Sequence, residues 1–365
     1  MIEALGTLIE TPAFASAPSG KGRMQMDVLS DTLRVVRLTG AVFLNAKLIS
    51  PWAILTATPD KIARYLRLPS DCIALFHILV RGRGWFTVPG HAPILLETGD
   101  AILLPHSSPH VMSSGLGATP VPMLSVLPPL PPEGFVEVGA SSLGEMSQFV
   151  CGFLHCDQRF NPLLGALPET IVTQVCLDGQ KAETTSNGND LPSSMRLSIQ
   201  PGDLLETTLR HAVEEALSKR PGNTDMLARL SEILFVEMVR RYMQQLPPSQ
   251  HGWLAAVRDP IVGQALRLLH ARPEQAWTVE TLADAVAVAR STLAQRFTTL
   301  VGETPMRYLA TWRMQLAKYL LKQTNMNLVE IARQVGYESD VAFNHAFKRY
   351  VGLPPATWRA SGDDQ

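Results

Sequence analysis

The chain is poor in cysteine, has no long apolar run and carries almost no net charge, and each scarcity removes a class of protein. Four cysteines (Cys72, Cys151, Cys156 and Cys176) in 365 residues are too sparse for the disulfide framework of a small secreted domain. Cys151 and Cys156 flank His155, but no second Cys/His pair stands at a zinc-finger spacing. Buried free thiols are the default reading, and no metal or other cofactor is expected. Nothing approaches the roughly 18 consecutive apolar residues of a membrane-spanning helix, so no membrane partner is expected. Residues Met1 to Gly20 carry Glu3 and Glu10 where a secretory leader would be basic, which places the expected location in the cytoplasm. With 46% apolar and 18% charged residues and a mean hydropathy of +0.07, the chain is neither disordered nor fibrous. Its length suits two or three domains of roughly 100–200 residues each.

The near-zero total of 32 Lys+Arg against 33 Asp+Glu hides a split. Residues 256–365 hold 13 basic and 10 acidic side chains, and the preceding part holds 19 and 23. That asymmetry is compatible with a C-terminal part facing nucleic acid, though alone it is weak. An internal repeat strengthens it. Phe297, Gly302, Pro305 and Tyr308 recur fifty residues later as Phe347, Gly352, Pro355 and Trp358. Upstream of each copy lies an apolar helical face, Leu282, Ala283 and Val286 in one and Ile331, Ala332 and Val335 in the other, then a short break and a second helical pattern. Each copy therefore predicts a helix-turn-helix, at about 278–300 and 327–350. Thr278 suits an N-cap, Asn327 with Glu330 makes a near capping box, and Gly336 suits a left-handed turn.

At about 100° per residue, Leu293, Phe297 and Leu300 share one side of the second helix of copy one, and Phe343 and Phe347 share that of copy two. The opposite side carries Ser291, Gln295 and Thr298 in one and Val341, His345 and Lys348 in the other, flanked by Arg290, Ala294, Asp340 and Asn344. Matched cores with differing outer faces are what two base-reading helices with different targets would show; the plainer alternative is a pair of solvated faces. Arg290, Ser291, Ala294, Gln295, Asp340, Val341, Asn344 and His345 are thus the expected base readers. Arg296, Arg307, Arg313, Lys348 and Arg349, with Lys318, Lys322, Arg333 and Arg359, are candidates for phosphate contacts that position without specifying. Between the copies, Pro305 to Lys322 predicts an uninterrupted helix of about 27 Å, long enough to hold both readers toward one face of a duplex.

The stretch from Asp259 to Arg359 resembles the DNA-binding domain of the AraC/XylS family of bacterial transcription regulators. The likeness rests on Trp277-Thr278-Val279-Glu280-Thr281-Leu282-Ala283, Trp312-Arg313-Met314, Ile331-Ala332, Val335-Gly336-Tyr337-Glu338-Ser339, Ala342-Phe343, Ala346-Phe347-Lys348-Arg349 and Pro354-Pro355. Two departures fall in or before the reading helices: Ala289 stands where that family usually has a capping Ser, and His345 where an Arg is frequent. Base preference is therefore not carried over from the resemblance.

Residues 24–176 follow another grammar. Ile73–Val80, Trp85–Val88, Pro93–Glu97 and Ala101–Leu104 are short apolar runs punctuated by Arg81-Gly82-Arg83-Gly84, Pro89-Gly90 and Gly99-Asp100, which predicts a β-sandwich or barrel. Gly99, Pro105, Ser107 and His110 resemble the second motif of cupin barrels, with Ser107 replacing the usual Gly, and His77 lies where the first motif would start. His77 is followed by Ile78-Leu79 rather than a second His, and no Glu occurs between it and Gly90, so the metal-binding set of cupin enzymes is incomplete. Asp27-Val28-Leu29-Ser30-Asp31, Leu38-Thr39-Gly40-Ala41-Val42-Phe43, Pro51-Trp52-Ala53, Phe76-His77 and Cys151-Gly152-Phe153 are similar to the cupin-type sensor in front of some AraC-family regulators. That resemblance implies a small-molecule or redox sensor of undefined effector. Trp52, Phe76, His77, Trp85 and His110 are the candidates to face an effector in the barrel, with plain core as the alternative. Cys151 and Cys156 are the candidates for redox sensing.

Pro120 to Pro132 reads as a packed connector and Gln180 to Ser194 as a surface loop. Leu204–Leu217 and Thr224–Leu246 then predict a helical hairpin whose apolar face at Leu227, Leu230, Ile233, Leu234, Val236 and Val239 is to be buried either within the N-terminal domain or against a second protomer; the family resemblance implies homodimerisation there. The expected fold is multidomain α+β: an extension at 1–23, a cupin-like barrel or sandwich at 24–200, the hairpin at 201–246, a linker at 247–257 and an all-α domain at 258–361 whose two helix-turn-helix motifs share a long helix. The expected function is sequence-specific regulation of transcription, with double-stranded DNA, an unidentified small-molecule effector and, from the resemblance, RNA polymerase as partners. The competing readings are a metal-dependent cupin enzyme with an accessory DNA-binding domain and an architectural DNA binder.

Overall fold

Val28, Thr32 and Val35 recur at helical spacing, and the first described element is indeed a short amphipathic helix, α1 (Val28–Val36), rather than a strand. The computed structural model describes residues 27–36, 39–68, 73–129, 136–139, 144–155, 162–173, 194–197, 202–218, 220–246 and 251–360. The N-terminal part continues with β1 (Thr39–Ile49), β2 (Ala53–Leu55), α2 (Pro59–Tyr65), β3 (Ile73–Arg81), β4 (Arg83–Thr87), β5 (Ile94–Glu97), β6 (Ala101–Leu104), β7 (Val111–Ser113), β8 (Val121–Pro122), α3 (Met123–Val126), β9 (Val136–Gly139), β10 (Met146–His155), α4 (Pro162–Gly165), β11 (Thr170–Thr173) and β12 (Ser194–Leu197). Among the described residues, seven strands form one sheet in the order β12-β11-β6-β3-β10-β1-β9, and five form a second in the order β5-β4-β7-β2-β8.

β3 explains why its sequence does not alternate. Ile73, Leu75 and Leu79 point between the sheets with Phe149, whereas Ala74, Phe76 and Ile78 point outward. A strand covered on both faces reads as a continuous apolar run. The outer cover is the expected hairpin, α5 (Leu204–Leu217) and α6 (Asn223–Gln245), which lays Leu209, Leu234, Phe235 and Met238 against the sheet. β1 passes so close to α6 that a Cβ on Gly40 would stand 2.9 Å from the Ala228 carbonyl, which explains glycine at this position.

The remaining helices are α7 (Trp253–Arg258), α8 (Val262–Ala271), α9 (Val279–Ala285), α10 (Arg290–Val301), α11 (Pro305–Gln323), α12 (Leu328–Gln334), α13 (Asp340–Val351) and α14 (Pro355–Ala360). The apolar core that starts on the outer face of the large sheet runs without a break through α1, the hairpin and α7 to α11, as far as Trp312. The second repeat has its own core of Leu320, Ile331, Phe343 and Phe347. Among the described residues, several contacts fasten the halves, α4 on α7 among them. α1 packs on α8 and α11, and Arg258 of α7 donates through Nη1 to the Met243 and Leu246 carbonyls at 2.6 and 3.0 Å, closing the C-terminal end of α6 where carbonyls otherwise lack partners. No described helix is long and apolar enough to cross a membrane.

Candidate nucleic-acid interface and sensor core

Each helix-turn-helix is built by local chemistry. Thr278 caps α9 by accepting from the Thr281 N–H at 3.1 Å, and Thr281 answers with its hydroxyl to the Thr278 N–H at 3.0 Å. Asn327 and Glu330 make the same reciprocal pair at α12, at 2.9 and 2.8 Å. The turn that follows needs a left-handed residue. Copy two supplies Gly336 at φ +78°, whereas copy one supplies Ala287 at φ +55°, a conformation that costs a side chain roughly 1–2 kcal/mol.

Leu293 and Phe297 then anchor α10, and Phe343 and Phe347 anchor α13. Their opposite faces lie open. Arg290, Ser291 and Gln295 are exposed and Ala294 is half-buried on α10; Val341 and His345 are exposed, and Asp340 and Asn344 half-buried, on α13. Arg290 pairs with Glu280 at 2.8 Å across the exposed surface. Ser339 caps α13 by accepting from the Ala342 N–H at 3.1 Å, whereas Ala289 gives α10 no side-chain cap. α11, with 19 residues, extends about 28 Å at 1.5 Å per residue between the two units.

Two of the arginines expected on phosphates also make hydrogen bonds within the domain. Arg296 donates through Nε and Nη2 to one Asp259 carboxylate oxygen at 2.9 and 2.6 Å, and the other oxygen accepts from the Ile261 and Val262 N–H groups. Burial alone would raise the Asp259 carboxyl, but Arg296 and those backbone donors outweigh it and hold it below the usual range. Arg313 is half-buried and donates to the Pro273 and Gln275 carbonyls at 2.7 and 2.9 Å. A Cβ on Gly336 would stand 2.6 Å from its guanidinium, so Arg313 occupies the space that this glycine leaves. Arg307, Lys348 and Arg349 are exposed, with Arg307 near Glu303 at 3.4 Å. Lys318 is buried over the Trp358 ring at 4.6 Å, and Arg359 donates to the Leu321 carbonyl; both therefore also serve the fold.

In the cupin-like half, His77 and His110 sit fully buried with their Nε2 atoms 3.0 Å apart. His110 Nδ1 lies 2.9 Å from the Ser108 carbonyl and must donate there. His110 Nε2 is then the acceptor and His77 Nε2 the donor, which leaves His77 Nδ1 buried without a hydrogen-bond partner among the described residues. Burial keeps both imidazoles neutral, with His110 pulled down to about 4 and His77 well below its ordinary value. Ser107 adopts φ +50° and donates to the Ile73 carbonyl at 2.6 Å, the left-handed position where the cupin motif usually has Gly. Among the described residues no three His, Cys, Asp or Glu side chains converge on a point that could hold a metal. The imidazole pair does not complete a cupin metal set.

The other expected effector contacts divide. Trp52 packs edge-on against Phe149 with ring centres 5.7 Å apart and buries its indole N–H without a partner among the described residues. Trp85 is half-buried on β4. Phe76 faces away from the barrel interior and lines a small apolar cavity under the hairpin with Ile78, Leu103, Leu209, Leu234 and Phe235, a space for about one water. Cys151 lies opposite His77 on β10 and is 1% exposed; burial pushes its thiol up, the reverse of what a reactive thiolate needs. Cys156 lies outside the described residues.

Sequence reasoning missed a buried polar chain at the junction of the halves. Trp253 Nε1 donates to the Tyr308 hydroxyl at 3.1 Å, which in turn lies 2.8 Å from His270 Nε2. His270 stacks on Trp312 with ring centres 3.7 Å apart. Its Nδ1 lies 4.0 Å from Asp31 of α1, which holds Arg34 at 2.9 Å. Burial, aided by Arg34, pulls His270 down to about 3. The apolar spacing of α1 was the available signal, but its partners lie more than two hundred residues away.

Comparison with known proteins agrees with both halves. A cupin family model matches residues 27–187 and 181–244, and a helix-turn-helix domain model matches residues 282–361. A putative AraC-like transcription regulator of Streptomyces lividans is 43% identical over 149 residues, which are 40% of this chain and 49% of that protein; the chain thus spans about half the length of that relative. The HTH-type transcriptional regulator AlkR of Acinetobacter baylyi is 29% identical over 343 residues, 92% of this chain and 99% of AlkR. The HTH-type transcriptional regulator MtrA of Neisseria gonorrhoeae is 25% identical over 340 residues, again 92% and 99%. With a cupin domain in front and a duplicated helix-turn-helix behind, the chain belongs to the AraC family of DNA-binding transcription regulators.

Proposed function

We propose that the chain is a non-enzymatic regulator that reads a two-part DNA sequence and is controlled by a small-molecule signal received in its N-terminal half. The observation that carries this reading is the pair of capped helix-turn-helix units, joined by one unbroken helix, whose outer faces are both exposed. Arg290, Ser291, Ala294 and Gln295 read one half-site and Asp340, Val341, Asn344 and His345 the other, while Arg307, Lys348 and Arg349 hold phosphates. The division into a cupin-like domain at 24–200, a hairpin at 201–246, a linker at 247–257 and a DNA-binding domain at 258–361 belongs to the same reading.

Control passes through the junction. The first helix-turn-helix shares its core with the sensor half, and α1 and Arg258 fasten it there. An effector that favours one seating of α1 or α6 over another shifts how α10 is presented, by its differential affinity for the two states. A second copy of the chain docks on the hairpin, where Leu204, Leu217, Met226 and Ile233 are exposed apolar side chains, and RNA polymerase is the expected downstream partner. Gln295→Ala tests the reading. It relaxes preference at one base pair and costs about 1–3 kcal/mol on the preferred duplex. An unchanged preference at every position would remove Gln295 from the readers.

A further inference from the structure

We propose that Val341 reads a thymine through its 5-methyl group, so that the second half-site includes an apolar contact at the position where the first is read by the polar Ser291. The inference rests on α13 being a reading helix. In the repeat, Val341 and His345 stand where copy one has Ser291 and Gln295. Val341 is the second residue of α13, and the N-terminal residues of such a helix are those that reach base edges. It is 61% exposed, the most exposed large apolar side chain among the described residues. Nothing in the core calls for an apolar side chain there, and valine is a mediocre helix former.

The polar groups around it are turned toward the helix itself. Asp340 Oδ1 accepts from the Val341 N–H at 2.9 Å, Asn344 Nδ2 donates to the Asp340 carbonyl at 2.9 Å, and Ser339 Oγ accepts from the Ala342 N–H at 3.1 Å. The first turn of α13 therefore leads with two methyl groups. In the major groove thymine displays the one apolar group, its C5-methyl, and covering it removes apolar surface of both partners from water.

The test uses the full chain and the duplex it enriches from a random library. Each thymine is replaced in turn by deoxyuridine, which removes the methyl and leaves base pairing intact. One replacement weakens binding about three- to fivefold, the loss associated with one methyl-sized group, and the same replacement has no effect on the Val341→Ala variant. As the side chain is exposed, that variant keeps the wild-type circular dichroism spectrum and melting point. Enrichment of a sequence in which every thymine methyl is dispensable, or a Val341→Ala protein that still feels the same methyl, overturns this proposal alone. Failure to enrich any sequence overturns it together with the proposed function.

Discussion

Ala287 and Gly336 occupy the same left-handed turn in the two repeats, at φ +55° and +78°, yet only one of them is a glycine. Ala287→Gly should therefore stabilise the chain by about 1 kcal/mol by relieving the turn. Gly336→Ala should destabilise it by about 2 kcal/mol or more, because the new Cβ meets both the Arg313 guanidinium and, at 2.8 Å, the Pro273 carbonyl. Thermal unfolding of the two variants measures both signs, and a lower melting point for Ala287→Gly would contradict the assignment of strain to that turn. The turn was legible in the sequence from Gly336 and the repeat phase. The work of the arginines was not. Arg313 is fixed by the Pro273 and Gln275 carbonyls, backbone atoms that leave no signature in residue identity, and Arg296 by a carboxylate 37 positions away.

Among the elements, α1 links the two halves most directly. Val28 and Val35 are buried, and Asp31 faces His270 across the junction. Replacing both valines with alanine should loosen the seat without touching a reading helix. The expected result is faster proteolytic cleavage between the halves, with the far-ultraviolet circular dichroism nearly unchanged. Cleavage at the wild-type rate would show that α1 does not fasten the first helix-turn-helix. The helices of the C-terminal part were legible because their signals are local: caps at Thr278 and Asn327, periodic apolar faces, and prolines that begin α11 and α14. α1 was absorbed into a strand-rich reading of its surroundings. Phe76 was expected in the barrel, but β3 is buried on both faces, and alternation then loses its power to tell inside from outside.

At the scale of the whole molecule, the continuous core joins the N-terminal half to the first helix-turn-helix, while the second keeps a core of its own. Buried neutral imidazoles lie in two cores, His110 beside Phe86 between the sheets and His270 on Trp312 in the shared core. Burial pulls His110 to about 4 and His270 to about 3, against roughly 6.5 in an unfolded chain. Below that value the unfolded chain takes up protons that the native state refuses. The stability from keeping these rings neutral is present above about pH 6.5 and is lost progressively as pH falls toward 4. Tm should decline through this window, and His110→Gln should make the decline shallower; a flat profile would mean that the rings are not held neutral. The change from a sheet-rich N-terminal part to a helical, duplicated helix-turn-helix was visible in composition and repeat, whereas the seating of one half on the other depends on contacts between distant segments.

Sequence-specific recognition of DNA is measured most directly as the affinity of the purified full chain for the duplex upstream of its own coding sequence against random duplex, over a range of salt. The account predicts a preference of about 10³ or more at physiological salt, with non-specific binding falling steeply as salt rises. Equal affinities at every salt concentration, for this and other promoter duplexes, would contradict it and favour an architectural DNA binder.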